Sequence, residues 1–248
     1  MAPSRRYVIF GGASGMGAAG ARALIAAGHR LAIIDRDDVP ADLGAEIAIR
    51  ADALNLVQVA SAVDEAAAAL GGLDGGWVHV GTEHVATIEQ TSAELFETTW
   101  RINVLAHAAF AKATIPHLRL AGGGALLFTS SSCGVLVEKE MFAYTVTKAS
   151  VVAMARQIAL DYVGDRIRAN VLCPGYVDTP HNKEFWAEAG GREAFNVDAA
   201  KEVPIGRIAS AEEIGAIAAM LLSDEGSYFT GQAIVPDGGL SLFAASTR

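Results

Sequence analysis

A chain of 248 residues with 52% hydrophobic residues and 26 glycines can bury a full core within one α/β domain, so neither disorder nor a second domain is expected. Its formal net charge of -9 argues against broad polyanion binding, and hence against nucleic acid as a partner. The two cysteines, Cys133 and Cys173, have neither metal-ligand spacing nor the density of a disulfide scaffold, and the histidines are scattered without an HExxH pattern. No protein metal site is expected, and a reduced, cytoplasmic protein is the default. Met1 to Tyr7 leads at once into a short apolar strand without a cleavage site, and no run approaches the roughly 20 apolar residues of a membrane span. A soluble protein with no membrane partner follows.

Residues 6–10 read as a first strand, 16–27 as a helix and 31–35 as a second strand ending in an acid, which makes one βαβ unit. Residues 47–51 read as a third strand, 57–70 as a helix, 77–80 as a fourth strand, and 95–120 as a long helical stretch that Pro116 either kinks or brings to its last turns. A strand over 125–129, a helix over 144–163 and a strand over 167–173 follow, the last stopped by Pro174-Gly175. Residues 179–204 mix polar residues, glycines and aromatics without a steady period, which fits a mobile lobe over a pocket. A last helix over 211–222 and a short strand over 233–236 end the pattern. This repeated hand-over from strand to helix predicts an α/β fold: a doubly wound, mostly parallel sheet in a single Rossmann-type domain over 1–248, with a substrate lobe at 179–204. The ligand crevice should lie at the strand C-termini.

Gly11-Gly12-Ala13-Ser14-Gly15-Met16-Gly17 lies between the first strand and the first helix. Such a turn can serve packing alone, but its position suits a dinucleotide. Backbone donors of Ser14, Gly15 and Met16 at the helix start can hold a pyrophosphate, while the missing side chains of Gly11, Gly15 and Gly17 let the backbone approach it. Asp35 follows 24 residues after Gly11. Its carboxylate can accept bonds from an unmodified adenosine ribose and repels a 2′-phosphate, so NAD is favoured over NADP; the bland alternative is a solvated turn acid. Arg36 can engage a phosphate, stack beside adenine, or pair with Asp37 or Asp38.

The serine run Ser130-Ser131-Ser132 precedes a YTVTK stretch whose spacing puts Tyr144 and Lys148 on one face of a helix. Moving a phenol from a pKa of about 10 to about 7 needs roughly 4 kcal/mol. One unit charge at about 4 Å in an effective dielectric of about 20 contributes that much, so Lys148 is sufficient in principle. A cationic nicotinamide pushes the same way. Taken alone, the pair is more often the surface of an amphipathic helix, and the case rests on what surrounds it.

With these residues in view, the chain resembles the classical short-chain dehydrogenase/reductase family over nearly its full length. The linked features are Gly11, Gly15 and Gly17, Asp52 after the third strand, Asn103 in the fourth helix, Ser131 placed 13 residues before Tyr144, and then Lys148. Asn170, Pro174-Gly175 with Val177 and Thr179, and Asp237-Gly238-Gly239 extend the match. The resemblance implies that Asp52 and the neighbouring backbone at Ala53 meet adenine, that Val177 and Thr179 help position nicotinamide, that Asn103 helps fix an ordered water behind the lysine, and that the protein is a homotetramer. Two positions depart from the family pattern. Phe10 replaces a threonine that ties the first strand to its neighbours, and Val78-His79-Val80-Gly81 stands where the family has Asn-Asn-Ala-Gly. Cofactor contacts there can still come from backbone atoms at Gly81, with His79 supplying one local hydrogen bond.

The resulting expectation is reversible hydride transfer between a secondary alcohol and NAD, with Tyr144 moving the hydroxyl proton, Ser131 bonding that oxygen, and Lys148 holding the nicotinamide ribose and favouring phenolate. Val135, Leu136, Glu138, Met141, Phe142, His181, Phe185 and Trp186 are candidates to shape an apolar pocket with a polar rim for a small or medium cyclic or aromatic alcohol or ketone. Sugar or polyol substrates, an NADPH-dependent carbonyl reductase and a noncatalytic NAD-binding sensor are the alternatives. Leu240, Leu242 and Phe243 are candidate subunit contacts, with core packing an equal alternative.

Overall fold

Five-residue β1 (Arg6–Phe10) shows how the sequence builds its layers, because its side chains alternate between two separate cores. Val8 and Phe10 face one, Tyr7 and Ile9 the other, and all are essentially solvent-free. A strand apolar on both faces belongs in the middle of a parallel sheet covered by helices on both sides. The computed structural model describes residues 4–242, so the candidate contact Phe243 lies outside the described residues.

After β1 come α1 (Gly15–Ala26), β2 (Arg30–Asp35), β3 (Ile47–Arg50), α2 (Leu56–Leu70), β4 (Gly75–Val78), α3 (Ala93–Trp100), α4 (Ala106–Leu120), β5 (Gly124–Thr129), α5 (Phe142–Asp161) and β6 (Ile167–Leu172). The chain then forms β7 (Val177–Asp178), α6 (Lys183–Glu188), α7 (Arg192–Ala200), β8 (Ala209–Ser210), α8 (Ala211–Leu222) and β9 (Ala233–Ile234). The main sheet has seven strands in the order β3-β2-β1-β4-β5-β6-β9, every pair parallel. Helices α2, α4 and α5 cover one core, and α1 and α8 the other. This is the doubly wound α/β architecture. The strand order reverses between β1 and β4, where the loops leaving the two strands open a crevice.

The structure adds detail at three points. The long stretch over 95–120 is irregular at a π-helical turn, Arg101–Leu105, rather than at Pro116, which lies in the last turns of α4 without breaking it. The lobe over 179–204 contains two short helices, and β7 pairs in parallel with β8 as a separate two-stranded ribbon. Phe10 replaces the missing threonine tie by packing: its ring stacks on Phe110 of α4 with centroids 6.2 Å apart.

Candidate active site

The crevice at the β1–β4 switch point is walled on one side by the glycine turn. Gly11 has φ +91°, and a Cβ on Gly17 would lie 2.1 Å from the Gly11 carbonyl oxygen, so the turn closes onto α1 as only glycine permits. Ser14 precedes α1 in an extended conformation and its side chain caps nothing, so the first N–H groups of α1 are left for a ligand. Asp35 Oδ2 accepts from Ala13 N–H at 2.9 Å and Oδ1 from Asp37 N–H at 3.1 Å. These bonds fix the carboxylate beside the turn and leave each oxygen a lone pair. Arg36 is exposed and only loosely paired, its Nε 3.7 Å from Asp37 Oδ2. Asp52 accepts from Leu54 N–H at 2.9 Å in a local turn, and Ala53 is buried beside it. Thr179 stands against the turn, 3.4 Å from where a Gly15 Cβ would be, just after β7 with Val177 and beyond Pro174 and Gly175.

Beyond β4, the departures from the family pattern find local partners. The Thr129 hydroxyl accepts from Trp77 Nε1 at 2.8 Å and has its own proton for His79 Nδ1 at 3.1 Å. Burial first, then the nearby Lys148 charge, push the His79 imidazole down to about 3, so it is neutral. Gly81 sits against Lys148: a Cβ there would be 3.1 Å from Nζ. Asn103, in the π-helical turn and fully buried, accepts from Thr82 N–H at 2.8 Å and donates to Thr82 O at 2.9 Å and Thr147 Oγ1 at 3.0 Å. It therefore binds the loop after β4 to α5. His107, one turn further, is likewise held neutral, at about 3, chiefly by burial.

At the end of β5, two adjacent residues hold Lys148. Its Nζ donates to Thr129 O at 3.2 Å, and Ser130 Oγ donates to its main-chain carbonyl at 2.7 Å. Ser131 is half-buried, and its Oγ accepts from Cys133 N–H at 3.2 Å. Tyr144 and Lys148 share one face of α5, with Nζ 5.5 Å from the centroid of the phenol ring. Lys148 is not sufficient to make a phenolate in the chain by itself. Burial pushes the Tyr144 phenol well above its ordinary range, Glu83 adds to the rise, and the hydrogen bond with Ser131 opposes it. The same burial lowers Lys148 to about 8, with Glu83 acting against the fall.

Ser130, Ser131 and Tyr144 line a cleft of about 350 Å³, with Lys148 behind the phenol ring. Of the pocket candidates, Glu138, Met141, His181 and Phe185 line it, whereas Val135, Leu136, Phe142 and Trp186 do not. Phe142 instead stacks on Phe96 at 5.8 Å, and Trp186 lies under the Arg192 guanidinium at 5.4 Å. Leu240 lines the cleft. Sequence reasoning missed Glu83, Val85, Tyr176 and Phe195, which also line it. The available signal for Glu83 was its place two residues beyond Gly81, in the loop leaving a strand C-terminus. Cys133 also faces the cleft, but burial pushes its thiol up to about 12, which makes it a poor nucleophile.

Residues 11–241 match a family model described as Enoyl-(Acyl carrier protein) reductase. The chain is 34% identical to cis-4-hydroxycyclohexanecarboxylate dehydrogenase of Sinomonas cyclohexanicum, over 95% of this chain and 96% of that one. Among solved structures, a ligand-free aldohexose dehydrogenase of Thermoplasma acidophilum superposes with a TM-score of 0.91 at 26% identity, covering 99% of this chain and 97% of the other. L-sorbose reductase of Gluconobacter frateurii, solved with NADPH and L-sorbose, superposes with a TM-score of 0.89 at 27% identity, covering 97% and 98%.

Proposed function

The chain belongs to the short-chain dehydrogenase/reductase family, and from that premise we propose that it is an NAD-dependent enzyme interconverting a secondary alcohol and its ketone, on a small or medium cyclic substrate. The observation that supports this reading most is that Ser131 and Tyr144 line one cleft beside the glycine turn, with Lys148 behind the Tyr144 ring. Relatives acting on a hydroxylated cyclohexane ring and on sugars favour a cyclic alcohol over an open-chain one.

A nicotinamide dinucleotide fits the residues present. The uncapped start of α1 offers donors for its pyrophosphate, and the side of the turn that a Cβ would fill is left open by glycine. Gly11, Ser14, Gly15, Met16 and Gly17 would hold the pyrophosphate, Asp35 and Arg36 the adenosine ribose, and Asp52 with Ala53 the adenine. His79, Gly81, Pro174, Gly175, Val177 and Thr179 would line the nicotinamide end. When bound, the cofactor supplies the hydride acceptor or donor and, oxidised, a positive charge beside the phenol.

This chain's own residues do the rest. Tyr144 takes the hydroxyl proton during oxidation and returns it to the carbonyl oxygen during reduction. Ser131 bonds the same oxygen, and its contact with the phenol favours the ionised form that burial and Glu83 oppose. Lys148, anchored by Thr129 and Ser130, holds its ammonium beside the phenol and would also bond the nicotinamide ribose. Asn103 keeps the loop after β4 against α5, so that Gly81 and Lys148 stay in register.

Asp35 carries the choice of NAD, since it offers acceptors to ribose hydroxyls and its charge repels an added phosphate. Asp35→Ser is expected to lower kcat/KM with NAD and narrow its lead over NADP by about tenfold or more. Both cofactors would be compared at one substrate concentration and ionic strength. A wild-type preference for NADP, or an unchanged ratio in the variant, rejects NAD dependence. Failure of every alcohol and ketone in a broad screen, with NAD still bound, favours the sensor instead. The reading also includes a single functional domain over 1–248, a cytoplasmic location and a homotetramer. The exposed Leu105 and Val146 near the π-helical turn and on α5 suit such an interface. Sedimentation at low micromolar protein should give a tetramer, and monomer alone overturns that assignment.

A further inference from the structure

We infer that Glu83 decides which ring the cleft accepts: a neutral ring carrying a second hydroxyl is taken, and the same ring carrying a carboxylate is rejected. The inference rests on the alcohol oxidoreductase reading above and names the substrate class of that site.

Glu83 is held in place from both sides. Asn103 bonds the N–H and the carbonyl of Thr82 immediately before it. Three residues later, Ala86 N–H donates to Glu140 O, and Phe142 N–H donates to Ala86 O at 3.2 Å. The loop is thus tied to the segment that leads into α5, and the Glu83 carboxylate, 18% exposed, faces the cleft beside Tyr144. It is close enough to act on the charges of both Tyr144 and Lys148.

Among the described residues, the polar partner of Glu83 is His181 on the opposite wall, with Nε2 3.2 Å from Oε1. A carboxylate has about four acceptor positions, so this pairing leaves most of them for hydroxyl donors. Glu138 adds a second carboxylate at the rim. Among the described residues, the cations near the cleft are Lys148 behind the phenol, the exposed Lys139 and, when protonated, His181. Lys148 is committed to Thr129, and His181 to Glu83 itself. Val85, Phe185 and Phe195 add apolar surface to the lining, the two phenyl rings stacked 6.2 Å apart. One wall therefore suits the face of a cyclic substrate and the other accepts hydrogen bonds. A substrate carboxylate would meet Glu83 and Glu138 with only Lys139, exposed to solvent on the lining, left to offset them, which disfavours binding.

The test uses the purified protein with NAD, or with NADP if that serves better, and three alcohols: cyclohexanol, cis-1,4-cyclohexanediol and cis-4-hydroxycyclohexanecarboxylate. The diol is expected to exceed the hydroxy acid in kcat/KM by about tenfold or more, and Glu83→Gln should reduce that ratio by about tenfold while the variant melts as the wild type does. A wild-type preference for the hydroxy acid, or an unchanged ratio in the folded variant, overturns the assignment of Glu83. A second measurement needs no variant: cyclohexanecarboxamide should inhibit cyclohexanol oxidation at about a tenth of the concentration that cyclohexanecarboxylate requires. Equal or stronger inhibition by the carboxylate overturns the assignment too. If cyclohexanol or the diol is oxidised, a failure of the ratio falls on Glu83 alone. If none of the three alcohols reacts with either cofactor, the oxidoreductase reading falls and this inference with it.

Discussion

Tyr144→Phe should lower kcat for the best alcohol by about a hundred- to ten-thousandfold, the range a positioned general acid or base supplies. The dissociation constant of the cofactor should change by less than about threefold, because the phenol oxygen alone is lost and the ring remains beside Lys148. The pH profile supplies a second readout. Oxidation needs the phenol ionised, and this chain's environment holds the proton on, so wild-type oxidation should rise with pH while reduction, which uses the neutral phenol, should fall. In the variant both slopes from this group should vanish. Turnover near the wild-type level in stopped-flow or steady-state assays rejects the assignment of Tyr144.

Lys148→Met is expected to do two opposite things: lower turnover by about a hundredfold or more and raise the stability of the fold. The second effect follows from burial. Lys148 is 4% exposed and has its pKa lowered from 10.5 to about 8, so folding disfavours its charge. The sign runs as for any depressed base. Above about pH 10.5 the lysine is neutral in both states and costs nothing; as pH falls the unfolded chain takes the proton first, and below about pH 8 the whole cost is present. That cost is on the order of 3 kcal/mol, from the size of the shift. Met keeps the apolar stem but leaves Thr129 O without its donor, which offsets part of the gain. Chemical denaturation at pH 7 should therefore find Lys148→Met more stable than the wild type, with the difference shrinking towards pH 10.5. A variant less stable than the wild type at pH 7 would mean that the lysine is chiefly a structural anchor.

Much of the fold was legible because it is local. The strand at 6–10 and the helix at 211–222 appear with the expected bounds, since the first is an apolar run stopped by glycine and the second keeps a helical period from its cap. A capping box at Ser210 and Glu213 starts that helix. The helices of the 179–204 lobe were not legible. They are only six and nine residues long, too short to hold by propensity, and they stand because Phe185, Phe195 and Tyr176 pack against one another. The π-helical turn at Arg101–Leu105 was hidden for a related reason: Asn103 spends its side chain on Thr82 and Thr147, partners 21 and 44 residues away.

For the site, spacing by itself determined that Tyr144 and Lys148 share a helix face and that a glycine turn follows the first strand, because both are properties of neighbours along the chain. Protonation and pocket chemistry were decided only by the tertiary structure. The phenol is held neutral and the ammonium weakened because folding removes water from both, and no sequence pattern measures that desolvation. Glu83 becomes a wall of the cleft only when the loop after β4 is bound to α5, and it meets His181, 98 residues further along, only when the lobe folds over the opening. Electrostatic character at a site depends on distance through space and on burial, and these are fixed when the sheet brings its strand ends together.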